Sequence, residues 1–224
     1  MKGPSKTTIT IQFIFGLLVC IALLFGVAGT WDWIEAWMYL IIQFTFSGIM
    51  AVYLFKHDPS LLQKRMNFDI PKKLWDKFAM LSIVIFGTAL FIMPALDVRY
   101  GWSTVPLFVK TIAFLAIIWG LYIIFLTLKE NTYLAKIVVI QKDHKVVTTG
   151  PYAKVRHPMY VAAITLFIAL PLALDSRCSL IVGLILACTL IVRTSLEDKM
   201  LQKELKGYKA YTKKVKYKLL PGVW

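Results

Sequence analysis

Acidic residues and cysteines are scarce in this chain, and extended polar stretches are few. Asp and Glu total 12 against 26 Lys and Arg in 224 residues, which leaves a formal net charge of +14. Only three cysteines occur, Cys20, Cys178 and Cys188, with no paired spacing and no CxxC, so neither a disulfide framework nor a cysteine metal site can be built from them. No long span alternates polar and apolar residues, which argues against a transmembrane β-barrel. Internal repeats, low-complexity tracts and a linker that would set off a soluble domain are also missing. No nucleophilic triad can be assembled, and His57 and His144 read as lone surface histidines near an interface.

What the chain has is apolar length. Hydrophobic residues make up 58% of it, in blocks long enough to approach the ~20 helical residues that cross a bilayer. Six blocks stand out, at about 8–29, 34–55, 77–96, 105–128, 159–174 and 178–194. The last two are short, and Leu174-Asp175-Ser176-Arg177 joins them as a tight helical hairpin would. The first block follows a short Lys-containing stretch but is long for a signal segment, and is read as a retained helix. The expectation is an all-α, polytopic transmembrane bundle of about six spans, with a C-terminal helical hairpin and a basic amphipathic tail. Residues 1–128 form its four-span N-terminal region, and 129–224 a loop, hairpin and tail.

The placement of charge supports a membrane topology. Lys56, Lys64, Arg65, Lys72, Lys73 and Lys77 lie between the second and third blocks, Lys129 to Arg156 between the fourth and fifth, and a further basic run begins at Arg193. The opposite loops hold only Arg99, Lys110 and Arg177 as cations, beside Asp32, Glu35, Asp97 and Asp175. Six spans with both termini cytoplasmic satisfy the positive-inside bias at every loop. The surplus charge then marks topology and contact with anionic membrane lipids, and argues against a nucleic-acid partner. Trp31, Trp33, Trp37, Trp75 and Trp102 read as interface markers, and residues 56–76 as an interfacial connector with about one helical turn.

Two polar clusters interrupt this pattern. In the first, Gly150-Pro151-Tyr152 forms a turn, and Arg156-His157 precedes Pro158, which suits the first turn of a helix. Arg156 and His157 therefore stand at a helix N-terminus, where free N–H donors favour a carboxylate, ribose or phosphate. Upstream, Ile137 to Ile140 and Lys142-Asp143-His144 read as a short hairpin or an extended loop. In the second cluster, Arg193 and Glu197 are four apart on one helix face, able to pair or to address one ligand together. Asp198, Gly207, Tyr208 and Tyr211 follow, with Leu196, Met200, Leu201 and Leu205 on one side of an amphipathic tail helix. Span six returns to the face from which span five leaves, so the two clusters meet at the cytoplasmic face.

Gly150-Pro151-Tyr152 with Arg156-His157-Pro158-x-Tyr160, then Arg193, Glu197-Asp198 and Gly207-Tyr208-x-x-Tyr211, resembles the signature of the isoprenylcysteine carboxyl methyltransferase and phospholipid methyltransferase superfamily. The resemblance covers about residues 129–224 and departs from the usual Glu-Glu pair at Asp198. It implies S-adenosylmethionine as methyl donor, bound near the cytoplasmic face, and a lipophilic acceptor that enters from the bilayer. It implies that Tyr152, His157 and Tyr160 line the donor pocket, together with Gly150, Pro151, Arg156, Pro158, Asp198, Tyr208 and Tyr211. Glu197 would contact the donor's polar groups, and Arg193 would position or polarise the acceptor. No metal is implied.

A guanidinium at Arg193 suits a carboxylate acceptor, such as a prenylated cysteine or another lipophilic acid. A phospholipid amine would instead need stabilisation of developing positive charge. The C-terminal halves of NADPH-dependent sterol reductases are similar, with their own Arg-His-Pro-x-Tyr turn, but such chains are longer and their cofactor's extra phosphate asks for additional cations. A non-enzymatic membrane protein would leave both polar clusters without a task.

Overall fold

A computed structural model describes residues 3–67, 69–134, 137 and 144–224. Most of the stretch expected as a hairpin or extended loop, 138–143, lies outside the described residues. Helices are the regular elements of the described residues, with no strand among them. The helices are α1 (Lys6–Ile21), α2 (Ile34–His57), α3 (Pro59–Met66), α4 (Leu74–Tyr100), α5 (Leu107–Glu130), α6 (Pro158–Ala173), α7 (Leu180–Glu204) and α8 (Tyr208–Lys214). A π-helical segment, Ala22–Gly26, extends α1 and brings Leu24 and Phe25 into the core.

Five of these segments are long and apolar enough to cross a membrane: Lys6–Gly26, Ile34–His57, Leu74–Tyr100, Leu107–Glu130 and Leu180–Glu204. The fifth expected span becomes α6, with 16 residues. At 1.5 Å per residue it extends about 24 Å, short of the ~30 Å of a bilayer's hydrocarbon core. Prolines bound it: Pro158 stands in its first turn, and Pro171 lies near its end. α6 is also a central packing element. α5 covers one side of it and α7 the other, and α4 packs on α7. Its small residues, Ala162, Ala169 and Ala173, are buried and allow this close approach. On α7, a Cβ added to Gly183 would lie 2.2 Å from the carbonyl oxygen of Phe167, so the two helix backbones nearly touch there.

The hairpin turn expected at Leu174 to Arg177 is present and is locked by polar contacts. Buried Asp97 of α4 accepts hydrogen bonds from the Ser103 amide (2.7 Å), the Ser103 hydroxyl (2.6 Å) and the Ser176 hydroxyl (2.5 Å). Asp175, with φ of +64°, accepts from the Val105 amide at 2.6 Å, and Lys110 bridges Glu35 and Asp175 at 2.6 and 3.5 Å. This end of the bundle is thereby closed, and the site lies at the other.

The structure adds detail at two places. Trp33 is buried in the core at 4% exposure, with Phe25 of the π-segment packed edge-on against it. The connector 56–76 carries more than one turn. Asp58 caps α3 by accepting from the Leu61 amide at 2.9 Å, Pro59 fits its first turn, and Leu61 and Leu62 are buried with Met50, Leu54 and Leu128.

Candidate active site

The first polar cluster is held by the chain's own C-terminal tail. After α7 ends, Gly207 takes φ of +88°, α8 follows, and residues 215–224 double back across the start of α6. The amides of Arg156 and His157 donate to the carbonyls of Tyr217 and Lys218, each at 3.0 Å. The amphipathic stretch expected to follow span six continues α7. Leu196, Met200 and Leu201 belong to α7 itself, while Leu205, Tyr208, Tyr211 and Val215 form a small core of their own.

Asp198 organises this region. Buried on α7, it accepts Arg156 Nε at 2.8 Å and Arg156 Nη2 at 3.1 Å in a forked pair. The Tyr208 hydroxyl donates to it at 3.0 Å and the Gln202 amide at 2.7 Å, and His157 Nε2 lies 3.2 Å away. Arg156 spends its remaining reach on the carbonyls of Val215 and Lys216 at 2.8 and 2.7 Å. Burial pulls the Arg156 guanidinium down, but hydrogen bonding and charge from Asp198 hold it above its ordinary value. Burial and the charge of Asp198 push the Tyr208 phenol well up, so it remains a donor. The short reach of Asp198 suits this hub, since its partners come to it.

Glu197, one residue earlier, turns the other way. Its carboxylate accepts a hydrogen bond from the Tyr160 hydroxyl and lies 4.0 Å from His157 Nδ1. The His157 and Tyr160 rings stack with centroids 5.8 Å apart. Arg193 Cζ lies 5.7 Å from the Tyr160 ring centroid, and its guanidinium pairs with buried Asp76 of α4 at 2.7 Å. Asp76 escaped the sequence reading because it falls one residue before the third apolar block. Its signal was an acid in the first turn of an apolar helix, among lysines. Tyr152 is buried: its hydroxyl accepts from Asn131 Nδ2 at 2.8 Å and its carbonyl from the Tyr211 hydroxyl at 2.6 Å.

These groups face one cavity of about 440 Å³. Tyr152, Arg156, His157, Tyr160, Arg193, Glu197, Tyr208 and Tyr211 line it; Gly150, Pro151, Pro158 and Asp198 do not. Gly150 shapes the wall from outside it, with a φ of +57° that favours glycine, and a Cβ there would also displace the Glu130 side chain, whose Cγ would lie 2.6 Å away. The same cavity continues into an apolar end lined by Met80, Ile83 and Val84 of α4, Ile124 of α5, and Ala163 and Phe167 of α6. Val84 is 59% exposed on the outer surface of the bundle. Cationic Arg65 of α3 also lines the cavity, a residue the charge pattern had counted only as a topology signal.

A polar chamber joined to an apolar one, with a carboxylate and stacked rings at the junction, is what two unlike reactants need in order to meet. Residues 111–203 match the model of the Isoprenylcysteine carboxyl methyltransferase (ICMT) family. The matched stretch covers less than half of the chain, running from α5 through the hairpin to the end of α7, and includes Tyr152, His157, Tyr160, Arg193, Glu197 and Asp198. It agrees with the resemblance drawn from the sequence motifs and points to a membrane methyltransferase. α3, Asp76, Tyr208 and Tyr211 lie outside it. No curated protein matches the chain.

Proposed function

We propose that this protein is an integral membrane methyltransferase that uses S-adenosylmethionine to methylate a carboxylate on a lipophilic acceptor, with a prenylated cysteine as the model substrate. The observation that carries this reading is the single cavity with a polar end and an apolar end, joined at Tyr160, Glu197 and Arg193. Its volume falls within the range of small-molecule sites.

The residues present fit the donor. Glu197 is the one carboxylate among the described lining residues, suited to the donor's ammonium or ribose hydroxyls, and the Tyr152, Tyr160, Tyr208 and Tyr211 rings offer aromatic walls for a nucleobase and a sulfonium. When bound, S-adenosylmethionine supplies an activated methyl group on a good leaving group. The chain's residues then have three tasks. Tyr160 orients Glu197 through its hydrogen bond, and His157 is held by Asp198 so that its ring stacks on Tyr160. The Asp198–Arg156–tail brace closes the polar end against bulk water. Arg193, neutralised in part by Asp76, stands at the junction where an acceptor carboxylate would arrive. A carboxylate is already a nucleophile, so alignment and partial desolvation suffice, and no general base is required.

In this reading the acceptor's hydrophobic part occupies the apolar end and reaches it from the bilayer past exposed Val84. The polar end and both termini face the cytoplasm, in keeping with the excess of lysine and arginine on that side. The test is incubation of the protein in native-lipid membranes with methyl-labelled S-adenosylmethionine, followed by identification of the labelled extract. Transfer to a base-labile ester is expected, and Glu197→Gln should reduce it on the order of a hundredfold or more. Label in a phospholipid amine would replace the carboxylate assignment, and no binding of the donor would overturn the reading.

A further inference from the structure

Among the described residues, four cationic side chains line the cavity: Arg65, Lys145, Arg156 and Arg193. Two are committed, Arg156 to Asp198 and Arg193 to Asp76. Lys145 is exposed. Arg65 differs from all three. It is drawn in from the surface, lines the cavity, and makes no hydrogen bond or ion pair with any described residue.

The local structure explains how a cation comes to stand there. α3 is anchored by its Asp58 cap and by Leu61, which is fully buried. Arg65 follows Leu61 by four residues and so shares its inward face, one turn further along. Burial lowers the Arg65 guanidinium's pKa, and the nearby Tyr152 opposes that shift, yet a guanidinium keeps its charge under any ordinary condition. A half-buried charge with no partner among the described residues is well placed to take one from a ligand. A planar fork of donors is best matched by a carboxylate.

We propose that Arg65 forms an anion subsite of this cavity that binds a carboxylate. The proposal rests on the methyltransferase reading, under which two carboxylates are available: that of the donor's amino-acid end and that of the acceptor. It also places a specificity element on α3, outside the stretch that matches the family model.

The test uses the full chain in lipid nanodiscs, as wild type, Arg65→Gln and Arg65→Lys, with thermal melting to establish that each variant is folded. Binding of S-adenosylmethionine and of its decarboxylated analogue is measured by calorimetry, and KM is measured with N-acetyl-S-farnesylcysteine. If the subsite holds the donor, wild type prefers S-adenosylmethionine over the decarboxylated analogue by on the order of tenfold or more, and Arg65→Gln erases that preference. If it holds the acceptor, donor binding is unchanged and the acceptor KM rises by a similar factor. In either case Arg65→Lys, which keeps charge but loses the fork, falls between the two. Unchanged donor preference and unchanged KM in folded Arg65→Gln overturn the subsite and leave the methyltransferase reading standing. Failure of wild type to bind S-adenosylmethionine overturns both.

Discussion

Glu197 and Asp198 are adjacent acids with divided tasks. Glu197 points into the cavity and meets Tyr160, whereas Asp198 points behind it and gathers Arg156, His157, Tyr208 and Gln202. Substitutions at the two should therefore differ in kind. Asp198→Ala leaves the Arg156 guanidinium buried without its counter-charge, a change that costs about 3–5 kcal/mol when a buried pair is broken. A clear fall in the thermal midpoint is expected, together with protease sensitivity of the tail from residue 205 onward. Glu197→Gln should leave both nearly unchanged while methyl transfer is lost. If the two variants proved equally destabilised, this division would be wrong.

At the scale of elements, the α6–α7 hairpin sets the shape of the site. α6 supplies His157 and Tyr160 at its start, α7 supplies Arg193 and Glu197 in its last turns, and Gly183 lets the two backbones meet near the far end. The atom a Cβ would strike there is a backbone carbonyl, which cannot swing aside as a flexible side chain would. Gly183→Leu should push the helices apart and destabilise the protein by about 1–3 kcal/mol or more, as overpacking does. The cavity end of the hairpin would be displaced with it, so donor affinity should fall even though Gly183 does not line the cavity. Normal stability and normal donor affinity in Gly183→Leu would show that the close approach is not needed. α6 makes the same point about sequence patterns: its apolar run was readable, but the packing of its 16 residues between α5 and α7 was not.

Over the whole molecule, tyrosine hydroxyls tie the separate parts together. Tyr208 joins α8 to α7, Tyr211 joins α8 to the turn at Tyr152, and Tyr152 joins that turn to Asn131 after α5. Burial pushes all three phenols above their ordinary value, with Asp198 adding to the shift of Tyr208 and of Tyr211. A phenol raised in the folded state holds its proton where the unfolded chain would already have lost it. The stability these groups contribute is thus fully present below the unfolded value of about 10 and is lost as pH rises above it. Melting curves between pH 7 and 9 should be flat with respect to these groups, and the midpoint should fall steeply above about pH 10. Tyr208→Phe should flatten that fall; an unchanged alkaline profile in Tyr208→Phe would remove Tyr208 from the explanation.

Much of this protein was legible in the chain because its signals are local. Apolar runs announce helices wherever they fold, the Asp175 turn follows from its short polar break, and Gly150 to Tyr160 reads as a turn leading into a helix. The site's residue types were legible too, since Tyr160, Arg193 and Glu197 are polar groups set against apolar helices. Their partners were not. Arg193 shares a helix face with Glu197, yet it forms an ion pair with Asp76, brought alongside only when α4 packs on α7. Asp198 became a hub because the tail folds back onto Arg156, and Arg65 entered the cavity because burying Leu61 turns that face of α3 inward. The sequence by itself determined which segments are helical, where the polar groups stand along them and what chemistry those groups bring. Only the tertiary structure decided which charges cancel, because pairing depends on distances between segments far apart in the chain, and no periodicity records them.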